Sequence, residues 1–131
     1  MRMTKNRELV YKEILNSAVP LTAYEVSNRL KEMSLTTIYR ALEYLYQNGY
    51  LKRFSLDECT YYYSSESHRH FFRCVQCGKL YPIETCFMEE YEKYVSTHFN
   101  FKVYEHFVLF TGLCEKCYQD SLIDKTENAN A

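Results

Sequence analysis

Four of the six cysteines stand in two Cys-x-x-Cys pairs, Cys74 with Cys77 and Cys114 with Cys117, separated by 36 residues. Two such pairs can give four thiolates to one tetrahedral ion. Zinc prefers that donor set, and a closed shell of four leaves no open position for catalysis. The ion would tie the beginning of a segment to its end, which helps a segment of roughly 60–70 residues whose own core is small. A thioredoxin-like redox centre needs only one pair, so two pairs argue against it. Gly78 follows the first pair, where a small residue eases the chain reversal. Disulfides are not expected. The stretch from Met1 to Arg7 lacks the apolar run of a signal peptide. The longest apolar runs, such as Phe107 to Phe110, are far below the roughly 18 residues of a membrane span. A reducing, cytoplasmic setting is therefore expected, with no membrane partner. Cys59 and Cys86 lie outside the pairs and read as small, partly buried residues, Cys86 with a minor redox candidacy at the start of a predicted helix.

The chain has 131 residues, enough for one to two small domains, and its 47% hydrophobic and 25% charged residues are ordinary for a globular protein. The net charge of -1 conceals an asymmetry. Residues 1–53 hold nine Lys and Arg against five Asp and Glu; residues 54–131 hold seven against twelve. Only the first half is therefore suited to meet a polyanion.

That first half reads as three helices and a hairpin. Val10, Tyr11, Ile14, Leu15 and Ala18 form a helical stripe over 4–18, ended by Pro20. Thr22 and Glu25 make a capping-box pattern ahead of a second stripe of Ala23, Val26, Leu30 and Met33. Ser34 caps a third helix reaching about Asn48, with Gly49 as its stop. Residues 50–54 and 60–63 are strand-like around a polar turn. Three helices and then a hairpin is the winged helix-turn-helix order. On a helical wheel, Leu35, Ile38, Ala41, Leu42 and Leu45 face the core. Thr36 and Arg40 lie opposite, with Thr37 and Tyr39 on the borders. Hydroxyls, an Arg and a Tyr in the first turns suit a helix reading the major groove, while Lys52 in the wing suits phosphate. An ordinary amphipathic helix carries the same pattern, and the wing and local positive charge tilt the balance towards DNA.

The second half, from about Ser64, is predicted to hold strands at 70–73 and 79–83, a helix over 86–98 and a long strand over 100–110. A polar, frayed tail is expected over 119–131. His68 and His70 are two apart, so on an extended chain both imidazoles can face one ion. Glu89 falls on the predicted helix and His106 inside the long strand. Spacing leaves His106 open as either a ligand or a hydrogen-bonded core residue.

The run from Leu35 to Leu42, Gly49, the His68–His70 pair and the two Cys-x-x-Cys knuckles together resemble the ferric uptake regulator (Fur) family of bacterial metal-responsive repressors, over about Thr4 to Tyr118. The resemblance implies an α+β protein. Residues 1–64 would be a winged-helix DNA-binding domain, and residues 65–131 a small α/β dimerisation domain stapled by zinc on Cys74, Cys77, Cys114 and Cys117. It matches Tyr39 and Arg40 to the recognition-helix pair. It matches His68, His70, Glu89 and His106 to a sensory or accessory site for a second divalent metal, with zinc slightly favoured over iron or manganese. The family's other, hinge-located site would need ligands at positions that here are Arg69, Phe71, Pro82 and Pro20. The implied function is a metal-dependent homodimeric repressor on an AT-rich palindromic operator. An interaction protein of the same fold, with weak or metal-independent DNA binding, is the alternative. A hydrolytic centre on His68, His70, Glu89 and Cys86 is disfavoured, because the shell closes and no base remains.

Overall fold

Thr4 opens the first helix, α1 (Lys5–Leu15), its hydroxyl accepting from the Arg7 N–H at 3.3 Å. The apolar repeat runs on to Ala18, but the helix does not. The Ser17 hydroxyl donates to the Val19 carbonyl at 2.6 Å and turns the chain before Pro20. Helix α2 (Ala23–Arg29) begins with the capping box read from the sequence. The Thr22 N–H donates to Glu25 Oε1 at 3.1 Å, and the Glu25 N–H to Thr22 Oγ1 at 3.2 Å. Helix α3 (Leu35–Gln47) is capped by Ser34, whose hydroxyl accepts from the Thr37 N–H at 3.1 Å. This computed structural model describes residues 3–130, and of residues 124–130 the backbone alone. The chain divides into two units, 1–68 and 69–131.

In the first unit, the apolar faces of the three helices meet. Ile38, Ala41, Leu42 and Leu45 of α3 are buried with Val10, Ile14, Ala23 and Val26. Helix α3 stops in a Schellman motif: the Gly49 N–H donates to the Tyr46 carbonyl at 3.1 Å and the Tyr50 N–H to the Leu45 carbonyl at 2.9 Å. Gly49 itself sits at φ +80, the left-handed region this motif needs. Strands β1 (Leu51–Leu56) and β2 (Cys59–Ser64) form an antiparallel hairpin, with Leu56 opposite Cys59. Its two-residue turn puts both Asp57 (φ 51) and Glu58 (φ 65) in the left-handed region, as a primed turn requires. Leu21 and Tyr62 exchange backbone hydrogen bonds of 2.9 and 2.8 Å, which fixes the hairpin to the segment entering α2.

The second unit contains β3 (His70–Cys74), β4 (Leu80–Ile83), α4 (Glu89–Phe99), β5 (Leu109–Gly112) and α5 (Glu115–Asn130). Its sheet has the order β4-β3-β5, with β3 antiparallel to β4 and parallel to β5. The whole is an α+β chain, and three expectations for this half need correction. The predicted helix 86–98 begins three residues later, so Cys86 lies in the preceding loop. The predicted long strand 100–110 is regular only from Leu109, because a strand needs a neighbour to bond and among the described residues only β3 offers one there. The tail expected to fray is helical through Asn130, α5 starting directly on the second cysteine pair. None of the described helices is long and apolar enough to cross a membrane.

Candidate metal centres and nucleic-acid interface

The two cysteine pairs converge in the second unit. The sulfurs of Cys74, Cys77, Cys114 and Cys117 all lie within 4.8 Å of one another. Cys77 and Cys114 are 3.9 Å apart, close to the roughly 3.8 Å edge of a zinc–thiolate tetrahedron with 2.3 Å bonds. The first pair turns off the end of β3, with the Gly78 N–H donating to the Cys74 carbonyl at 2.9 Å. The second pair occupies the first turn of α5, with the Tyr118 N–H on the Cys114 carbonyl at 2.7 Å. Cys74, Cys114 and Cys117 are buried and Cys77 is exposed.

The surroundings of these sulfurs favour thiolates up to a point. The backbone N–H groups of Cys77 and Cys114 hold the Cys74 thiol down to about 6 against its burial. Cys114 is lowered by the Cys117 N–H and by the Tyr81 hydroxyl. Tyr81, tied to that sulfur, is itself pushed up to about 12. Cys117 moves the other way, up to about 12, because of burial and then its hydrogen bonds with the neighbouring cysteine sulfurs. Four thiolates so close together, three of them buried, need a cation between them. A divalent ion meets that need, so the donor set fits zinc in chemistry and in spacing.

A second group of donors gathers beside the sheet. His70 is buried on β3, Cys86 precedes α4, and His106 precedes β5. His70 Nε2 is 3.2 Å from Cys86 Sγ, Cys86 Sγ is 3.3 Å from His106 Nε2, and the two Nε2 atoms are 3.0 Å apart. The other ring nitrogen of His106 bonds the Glu92 carboxylate. A carboxylate there accepts from Nδ1–H, and the neutral ring then turns its Nε2 lone pair to the other donors, an arrangement common behind metal-bound histidines. The group fits a cation.

In the first unit, Thr36, Tyr39 and Arg40 are exposed on α3 and Thr37 is half-buried, while Lys52 is half-buried on β1. Arg53 does not share their surface role. It donates to Glu43 at 2.8 Å and lies 3.7 Å over the Tyr46 ring. The Gln47 amide and then Arg53 hold the Glu43 carboxyl below its ordinary value.

Comparison with known proteins resolves what such a chain is. The family model "Ferric uptake regulator family" matches residues 1–111. The ferric uptake regulation protein of Bacillus subtilis (strain 168) is 29% identical over 126 residues, covering 88% of this chain and 85% of that protein. The peroxide-responsive repressor PerR of Staphylococcus aureus (strain USA300) is 25% identical, covering 89% and 82%. The Helicobacter pylori ferric uptake regulator, whose structure is described as having three functional metal-binding sites, superposes with a TM-score of 0.75 at 20% identity. It covers 90% of this chain and 83% of that one, a likeness of fold.

The chain belongs to the ferric uptake regulator family.

Fur-family proteins are metal-responsive transcriptional regulators, and this chain is one of them rather than an enzyme. The structure brings together His70 and His106 of the second residue set, and the four cysteines of the first. His68 is exposed and ends the first unit. Glu89 is not brought to the cluster. It is exposed at the start of α4 and pairs with Lys93 at 3.8 Å. Because α4 begins at residue 89, Glu92, nearly one turn on, faces His106 in its place. Cys86, which sequence reasoning grouped with His68 and His70 only in the disfavoured hydrolytic centre, stands among the donors. Its spacing of twelve residues from Cys74 belongs to no general ligand pattern, so spacing offered no ground for adding it to the second metal set.

Proposed function

We propose that this Fur-family protein is a zinc-stapled, dimeric, cytoplasmic repressor whose hold on DNA is switched by a second divalent metal. The observation that carries the proposal is the pair of imidazoles, His70 and His106, with their Nε2 atoms 3.0 Å apart and His106 oriented by Glu92. Two imidazoles so placed share either one proton or, with both Nε2 atoms unprotonated, one cation, and the Cys86 sulfur beside them favours the cation. His68, two residues before His70 in the chain, is the proposed further ligand. When bound, the metal supplies a crosslink between β3 and the segment carrying His106. This chain's own residues orient the rings, carry the proton on Nδ1 and hold the sheet. The ion acts on DNA binding only through a difference in affinity between the DNA-ready shape and the others.

The first unit, taken as a winged helix-turn-helix, supplies the reader. Helix α3 presents Thr36, Thr37, Tyr39 and Arg40 for the major groove and β1 presents Lys52 for phosphate. The second unit supplies the dimer. No residue of α4 is buried within the chain, and Phe87, Phe101, Tyr104 and Phe110 are exposed. So much uncovered apolar surface in so small a unit supports a second copy as its cover. Two winged helices then meet two half-sites of an AT-rich palindrome. In a gel shift on such a duplex, chelated protein should bind weakly and regain affinity with zinc, iron(II) or manganese(II). Equal binding in chelator and in metal would leave an interaction protein, or a metal-independent DNA binder, as the better reading.

A further inference from the structure

We infer that Cys86 is a thiolate ligand of the second metal site, which makes the site a nitrogen–sulfur centre selective for zinc over manganese and iron(II). The inference rests on the reading of His70 and His106 as ligands and adds the donor that decides which metal they hold. Cys86 Sγ and the two Nε2 atoms form a triangle with sides of 3.2, 3.3 and 3.0 Å. In a tetrahedral zinc site with bonds of about 2.0–2.1 Å to nitrogen and 2.3 Å to sulfur, the corresponding edges are roughly 3.3–3.6 Å. A cation between the three atoms therefore asks each to withdraw by only a few tenths of an ångström.

The protons agree with that placement. His106 carries its proton on Nδ1, towards Glu92, and turns a lone pair inward. Binding of a divalent ion releases the thiol proton of Cys86 to solvent and leaves sulfur and nitrogen lone pairs on the ion. The carboxylate that would have made the site oxygen-bearing is elsewhere. Glu89 is 84% exposed and paired with Lys93, and Glu92 acts through the His106 ring rather than on the ion. Replacing oxygen by thiolate moves a site towards softer ions. Manganese and iron(II) bind least tightly in the first-row order and favour oxygen, whereas thiolate with imidazole suits zinc.

Cobalt(II) provides the probe, because thiolate ligation gives it a near-ultraviolet charge-transfer band that imidazole and carboxylate ligands do not. Full-length protein is first loaded with one zinc per chain on the four cysteines, then titrated with cobalt while the zinc content is followed. The wild type should gain the band up to one further equivalent. Added zinc should abolish it, and manganese in large excess should not. Cys86→Ser should lose the band and weaken cobalt binding by more than the roughly 10–100-fold typical of losing an outer-shell partner. It should keep its cysteine-bound zinc and its circular dichroism. His70→Ala should lose the band as well, which separates this signal from cobalt exchanging into the four-cysteine site. One equivalent of cobalt bound without the band, and equally well by Cys86→Ser, would overturn the role of Cys86 and leave the two-histidine site standing. A zinc-loaded wild type that takes up no cobalt and no second zinc would overturn both.

Discussion

Arg53 is bound to Glu43 and stacked on Tyr46, so its charge serves the contact between the hairpin and α3. Arg40 and Tyr39 lie exposed on α3. Arg40→Ala should cost about 1–3 kcal/mol on the operator if its guanidinium reads a base. Lys52→Ala should weaken all sequences alike and flatten the salt dependence. Binding isotherms on operator and scrambled duplexes check both, and an Arg40 variant with unchanged affinity for each would refute the reading role. The four sulfurs give a second test at this scale. Cys114→Ser leaves a three-thiolate shell, so zinc content should fall below one per chain and the melting temperature should drop, because metal binding and folding are coupled. Full zinc with an unchanged melting curve would contradict the structural site.

Whole elements depend on their ends. The stop of α3 depends on Gly49, which is at φ +80 with nothing within 4 Å of an added Cβ. Gly49→Ala therefore meets no clash, only the left-handed penalty, and should destabilise the first unit by about 1–2 kcal/mol in denaturant titration. Such local features were readable in the sequence. The capping box of Thr22 and Glu25, the Ser34 cap and the buried face of α3 are each fixed by residues a few positions apart. The region from 84 to 108 was less readable. A strand exists only where a neighbour offers bonds, so the alternation of 100–110 gave β5 only at its end. The start of α4 fell three residues later than its apolar spacing implied, and that small shift turned Glu89 outward, aimed Glu92 at His106 and left Cys86 in the loop. The four-cysteine cluster followed from cysteine spacing, but the meeting of Cys86 with His70 and His106 depends on segments 16 and 20 residues apart closing together.

The molecule as a whole has an asymmetric job to perform. Its first unit has a well-filled core, while its second unit buries little beyond Phe71, His70 and the cysteine cluster. The apolar surface left over should be covered by a twin, so sedimentation at micromolar concentration with zinc present should give a dimer. A monomer under those conditions would contradict the reading. In the proposed function, metal acts on DNA binding through the second site. The most direct test is operator affinity measured against free metal concentration for the wild type and for a His70→Ala, His106→Ala double variant, both with the four-cysteine zinc in place. The wild-type curve should rise with metal and the double variant's should stay flat at the metal-free level. Two superimposable curves would contradict the account, because the paired imidazoles would then have no part in sensing.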